Sequence, residues 1–254
     1  MAEQRDRIRP LDELTWPDVG AGARVLAVPL GATEQHGPHL PLGTDTVIAS
    51  ALAERLAARL AGHRPDVVVA PPLHYGSSGE HACFPGTLSI GQQALELVVT
   101  ELVRSADAFA GVVLVSGHGG NASPLKRAAE RLTYEGRKVL VWLPSREAGA
   151  GAGGGTGAGR EIAAGRWDVH AGYIETSMLL ALQAEGVAMH RAASGNTAPM
   201  ADLSERLVSE GVRGVSPNGV LGDPAGANAS AGAELLDAFV DDLVSAVEAW
   251  IPKS

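Results

Sequence analysis

Four short runs of this chain are apolar on consecutive residues and not on alternate ones: Ala23 to Leu30, Asp66 to Ala70, Gly111 to Ser116 and Lys138 to Leu143. A strand with one wet face alternates, so runs this short and unbroken predict strands covered on both faces, the pattern of a parallel sheet. Between them the spacing turns helical. Val47, Ile48, Ala51, Leu52, Leu56 and Leu60 share one helical stripe, with Gly62 closing it and Pro65 just beyond. Gln92 to Phe109, a segment capped by Asn121 or Ser123 and ending near Tyr134, Ile174 to Ala184, and Ala231 to Trp250 read as further helices. Strands alternating with helices predict an α/β fold with a mainly parallel sheet and helices on both faces. Residues 73–90 lack a period and read as a long functional loop, Ala148 to Gly159 is nearly all Gly and Ala and reads as a mobile loop, and residues 186–229 read as irregular.

Composition excludes several partners. A formal net charge of −9 with no basic run argues against nucleic acid or an anionic membrane as partner. One cysteine, Cys83, permits no intrachain disulfide. With neither a signal-like segment nor an apolar stretch of membrane length, a cytosolic location is the expectation. The 254 residues suffice for one α/β domain or two small ones.

The densest chemistry lies in Gly31-Ala-Thr-Glu34-Gln-His36-Gly-Pro-His39-Leu-Pro-Leu-Gly-Thr-Asp45-Thr46, directly after the first strand. If residues 34–36 stay extended, Glu34 and His36 project to one side and could share a metal centre. Taken alone, Asp45 reads as a helix N-cap and His36 or His39 as an ordinary loop histidine. Their crowding favours the ligand reading. His118 follows the third strand inside Gly117-His118-Gly119-Gly120-Asn121, where glycines let the backbone come close to a ligand. Sites in open α/β sheets lie outside the carboxyl ends of strands, so Glu34, His36 and His118 are expected at one edge. Glu175 opens an apolar helix and is expected to face inward as a ligand, because a buried carboxylate needs a counter-charge. Oxygen donors mixed with imidazole suit zinc, manganese or iron. The carboxylates of Glu34, Asp45 and Glu175, two divalent ions and one hydroxide sum to neutrality, which favours two ions with Asp45 as the bridge.

Together the Thr33-Glu-Gln-His-Gly-Pro-His-Leu-Pro-Leu-Gly-Thr-Asp-Thr46 stretch, Phe84-Pro-Gly-Thr87, Gly117-His-Gly-Gly-Asn121 and His170-Ala-Gly-Tyr-Ile-Glu-Thr-Ser177 resemble the creatininase family of metal-dependent amide hydrolases. The resemblance implies a three-layer α/β/α, creatininase-like fold across one domain, residues 1–254, two divalent ions (zinc first, iron or manganese as alternatives at one site) and a homo-oligomer, often a hexamer. Within the family the chain is most similar to the creatininase-like peptidases of the mycofactocin system, which implies removal of a C-terminal Val-Tyr dipeptide from a modified precursor peptide. It departs from creatinine amidohydrolases at Gly120, where those enzymes carry a glutamate, and that departure moves the fifth ligand role to Glu175.

The expected mechanism has the two ions activate water, with His170 transferring a proton to the leaving amine, since imidazole titrates near neutral pH. Tyr75, Ser78 and Glu80, in the loop running through Phe84 to Thr87, are expected to line the substrate channel. Trp167 is expected to stack on an aromatic product. Rival readings are a creatinine amidohydrolase or formamide deformylase acting on a small amide, and a metal-binding scaffold without activity. Nucleotide binding at residues 117–120 is weak, because no Lys-Ser/Thr follows the glycines.

Overall fold

The computed structural model describes residues 10–19, 24–62, 66–151 and 168–251. Among them, β1 (Arg24–Leu30), β2 (Asp66–Val69), β3 (Gly111–Ser116) and β4 (Val139–Trp142) form one fully parallel sheet in the order β2-β1-β3-β4. All four expected strands are present; Lys138, Leu143 and Ala70 fall just outside them, and Ala23 lies outside the described residues. Val25 pairs with both Val67 and Gly111, and Val112 pairs with Val139.

Alternate residues of each strand feed opposite layers, which is why the runs are apolar throughout. Val25, Ala27, Val113 and Val115 pack against α2 (Thr44–Leu60), α6 (Tyr173–Gln183) and α8 (Ala229–Trp250). Leu26, Val28, Leu30, Val112 and Leu114 pack against α3 (Gly91–Arg104) and α4 (Ala122–Tyr134). The result is the three-layer α/β/α arrangement, with each fully buried Val or Leu contributing about 1.5–3 kcal/mol. The short helix α1 (Trp16–Val19) precedes β1, and α5 (Arg146–Gly151) contacts α8.

Three expectations about helices need correction. The helix expected to reach Phe109 ends at Arg104 with Ser105 as its cap, and Phe109 continues the apolar pattern only because it packs on the same core beyond the helix. Asn121 makes no capping hydrogen bond to α4; its side chain instead donates to Gly31 O (3.1 Å) and accepts from Ser77 N (2.9 Å), joining the end of β1 to the loop after β2. Residues 186–229 are not irregular throughout, since α7 (Met200–Val215) runs through them. That helix carries its apolar residues Leu203, Leu207, Val208, Val212 and Val215 at helical spacing, buries only Leu203, Val212 and Val215 of its residues, and is interrupted at Gly211, whose φ of 68° is left-handed. Of the expected Gly/Ala-rich loop, residues up to 151 belong to α5 and the remainder lies outside the described residues.

Between β1 and β3 the strand order reverses, placing a switch point at their carboxyl ends. The amino end of α2 seats closely there. A Cβ on Gly31 would collide with the backbone of Thr46, and one on Gly117 with the backbone of Asp45, so only glycine at both strand ends lets Asp45 approach His118.

Candidate metal centre

Glu34, His36, Asp45, His118, His170 and Glu175 converge at this switch point, drawn from the loop after β1, the start of α2, the loop after β3 and the segment leading into α6. Asp45 is central. Its Oδ1 lies 3.0 Å from His36 Nε2 and its Oδ2 lies 3.5 Å from His118 Nδ1, so the two carboxylate oxygens face different histidines. Two sets, Glu34 with Asp45 and His118, and His36 with Asp45 and Glu175, each bring three ligand atoms within 4.8 Å of one another. They share Asp45. A third set, Glu34 with His36 and His170, meets the same criterion. Glu34 and His36, expected on one centre, do meet in this third set, and each also reaches a further partner: Glu34 Oε1 is 3.2 Å from His118 Nδ1, and His36 Nε2 is 3.9 Å from Glu175 Oε2.

Backbone carbonyls fix which ring nitrogen each histidine offers. His36 Nδ1 donates to Glu34 O (3.1 Å), leaving Nε2 toward Asp45. His118 Nε2 donates to Ser77 O (3.0 Å), leaving Nδ1 toward Glu34 and Asp45. Such outer hydrogen bonds set the tautomer of metal-binding imidazoles. Glu175 is oriented by Ala171, whose N–H donates to its Oε2 at 2.6 Å. Ala171 holds a left-handed φ of 52°, a conformation costing a non-glycine residue about 1–2 kcal/mol, so backbone strain sits beside the cluster.

The donor set fits divalent cations. Both oxygens of Glu34 and Oδ2 of Asp45 are buried and accept no hydrogen bond, and each such orphan costs about 1–3 kcal/mol unless a charge meets it. The electrostatics agree. Burial opposes charge on His36, yet Asp45, Glu175 and Glu34 overcome it and push the imidazole up to about 10. His118 is likewise pushed up to about 10 against burial by Glu34, Asp45 and Glu80. Glu34 is held well below the carboxylate range, because His118, His81 and His36 outweigh its burial, whereas burial drives Glu175 up to about 7. A cluster that draws protons onto two histidines is one that cations would neutralise by displacing them.

Above the cluster opens a cavity of about 420 Å³ whose polar floor includes His81, His118, His170 and Glu175, with Glu34, His36 and Asp45 buried beneath. The facing wall is apolar: Leu143, Val169, Met200, Leu207, Val212 and Leu221. His170 is buried, and burial together with the charges of His36 and His81 keeps it neutral. Its ring centroid lies 4.4 Å from those of both His36 and His81.

The residues expected in the channel are distributed unevenly. Glu80 lines the cavity with Oε1 3.6 Å from His118 Nε2, and burial raises its pKa. Ser78 is fully buried and Tyr75 is half exposed, and neither borders this cavity; Trp167 lies outside the described residues. His39, one of the two clustered histidines considered singly, is turned away and bonds Thr176 Oγ1 at 2.9 Å. The sequence places His81 in the loop expected to line the channel but gives it no role of its own, and it singles out Gln35 not at all. His81 Nε2 lies 3.3 Å from Glu34 Oε1, and the signal available was an imidazole next to Glu80 in a Gly/Ser-rich loop. Position 120 admits no side chain: a Cβ there would collide with His118, Ser77 O and the Glu80 carboxylate.

Comparison with known proteins places these observations in context. The family model for creatininase, described as creatinine amidohydrolase, matches residues 12–247. The chain is 44% identical over 243 residues to a mycofactocin precursor peptide peptidase of Mycobacterium ulcerans, covering 94% of this chain and 87% of the relative. It is 32% identical to a creatinine amidohydrolase of Pseudomonas putida over 70% of this chain and 74% of the relative. A solved structure described as "Creatininase Mn" superposes with a TM-score of 0.76 at 26% identity, over 96% of this chain and 98% of that one.

Proposed function

This chain belongs to the creatininase family, and from that membership we propose that it is a metal-dependent peptidase of the mycofactocin system, one that hydrolyses an amide bond to remove a C-terminal Val-Tyr dipeptide from the modified precursor peptide. The observation that carries the reading is the Asp45 carboxylate, whose two oxygens face two different imidazoles in a buried cluster. Glu34, Asp45 and His118 would hold one divalent ion, and His36, Asp45 and Glu175 the second. When bound, two such ions supply an activated water and polarise the scissile carbonyl. Zinc is the first assignment, with iron or manganese at one site.

The protein's own groups do the rest. His170, neutral and on the cavity floor, moves the proton that the leaving amine requires. The apolar wall takes the side chains next to the scissile bond and excludes water, and Glu80 borders the same space. The enzyme works as a cytosolic homo-oligomer of one-domain subunits, as its family resemblance implies.

The peptidase reading is preferred to creatinine hydrolysis because Gly120 has no room for the glutamate of creatinine amidohydrolases. The test is incubation of the zinc-loaded protein with a peptide ending in Val-Tyr, with creatinine and with a formylated amide, products being read by mass. Release of Val-Tyr that a chelator abolishes is expected. Hydrolysis of the small amides alone, or peptide cleavage indifferent to chelation, would overturn the proposal.

A further inference from the structure

Gln35 sits between two members of the cluster and is itself buried, 5% exposed, with every polar atom committed. Its Oε1 accepts from Gly37 N at 2.8 Å, and because a backbone N–H can only donate, this contact fixes which end of the amide is nitrogen. The amide nitrogen then has two protons and three neighbours: His81 Nδ1 at 2.8 Å, His170 Nε2 at 2.9 Å and Gly219 O at 3.1 Å. His170 Nε2 also lies 2.8 Å from Gln35 O. A lone pair there would face a carbonyl oxygen, so Nε2 of His170 carries a proton and donates it to Gln35 O. It cannot then accept from the amide. The two amide protons go to His81 Nδ1 and Gly219 O.

The consequence is a complementary pair. His170 turns its bare Nδ1 toward Glu34, at 3.8 Å from Oε1, while His81, with Nδ1 occupied as an acceptor, carries its proton on Nε2, 3.3 Å from the same oxygen. Glu34 Oε1 accepts no hydrogen bond from either ring, and both rings line the cavity. We propose that Gln35 is a positioning residue that sets these two histidines in opposite roles, His170 as proton acceptor and His81 as a fixed hydrogen-bond donor to the oxygen of the substrate on which negative charge develops. This rests on the hydrolase reading for its catalytic meaning, but the tautomers themselves do not depend on it.

The test uses the full-length, zinc-loaded protein with 15N-labelled histidine, in which long-range 1H–15N NMR reports which ring nitrogen is protonated. In the wild type both His81 and His170 are expected as Nε2–H tautomers. In Gln35→Glu, an acceptor replaces the amide donor, so His81 is expected to move its proton to Nδ1 while His170, held by a backbone carbonyl, does not change. With metal content intact, kcat is expected to fall about 10²-fold with little change in KM, the scale of losing one oxyanion donor. His81→Gln, which returns an N–H near the same point, is expected to keep more kcat than His81→Leu. Wild-type His81 protonated on Nδ1, or unchanged His81 in Gln35→Glu, overturns the assignment. If Gln35→Glu does not fold, the wild-type spectrum alone decides it. If the tautomers are as stated but no peptide or amide is turned over, the hydrolase reading fails and the positioning assignment stands.

Discussion

The floor and the facing wall of the cavity are made from opposite materials. The floor and what lies beneath it, Glu34, His36, Asp45 and His118, are buried polar groups placed by short loops at the ends of β1 and β3 and by the first turn of α2, with ring nitrogens chosen by backbone carbonyls. Half of the wall, Met200, Leu207 and Val212, comes from α7, a largely exposed helix broken at Gly211, and the rest, Leu143, Val169 and Leu221, from segments outside it. One side tolerates almost no displacement because its polar atoms are either held by hydrogen bonds or left buried for a cation to meet, while the other needs only shape and apolarity. The difference assigns reactivity to the first and selectivity to the second.

That division can be broken most decisively from beneath the floor. Replacing Glu34 by Ala should take turnover of a Val-Tyr peptide to background and lower the bound metal, measured together by product mass and elemental analysis; retained turnover would mean the floor is not the reactive side. Next in size, His170→Ala should lower kcat by about 10²–10⁴-fold while keeping full metal content, since it removes proton transfer and not a proposed ligand. Wild-type turnover in this variant would remove His170 from the mechanism.

A change in the wall should behave otherwise. Leu207→Ala enlarges the cavity and should raise KM for the peptide by about 10-fold or less, leaving metal content unchanged. A fall in kcat with loss of metal would show that the two sides are not separable. The smallest effect is a proton count. His36 and His118 are raised from 6.5 to about 10 in the cluster without a cation, so loading the metal-free protein at pH 8 should release at least two protons, one from each imidazole, read in a weakly buffered titration. For the same reason the metal-free protein holds the stabilisation from these two groups in full below 6.5 and loses it as pH rises through about 10, so its melting temperature should fall over that range.

The same contrast governed what could be read in the sequence. The strands were legible because burial on both faces leaves an unbroken apolar run, and the ligand candidates because Glu, His and Asp crowd a glycine-rich stretch after a strand. Glu175 was legible as a carboxylate opening an apolar helix. Helix α7 was also present in the spacing of Leu203, Leu207, Val208, Val212 and Val215, but the Gly-, Pro- and Asn-rich sequence on either side of it obscured that period. Gln35 was hidden for a different reason: an amide has no chemistry of its own in a motif of carboxylates and imidazoles, and its importance lies in the contacts with His81 and Gly219, residues distant in sequence. The channel residues were the least legible part of the site. A loop's sequence gives its length and polarity but not its path, so Tyr75 and Ser78 were indistinguishable from Glu80 until the loop was tied down by Asn121 and Ser89.

Everything proposed about the floor turns on Asp45 joining two ions. Elemental analysis of metal bound per chain, on wild type and Asp45→Ala purified identically, tests it directly. The bridged site predicts two equivalents in the wild type and loss of both sites' tight binding in the variant, with turnover abolished. Two equivalents retained in Asp45→Ala would contradict the bridge.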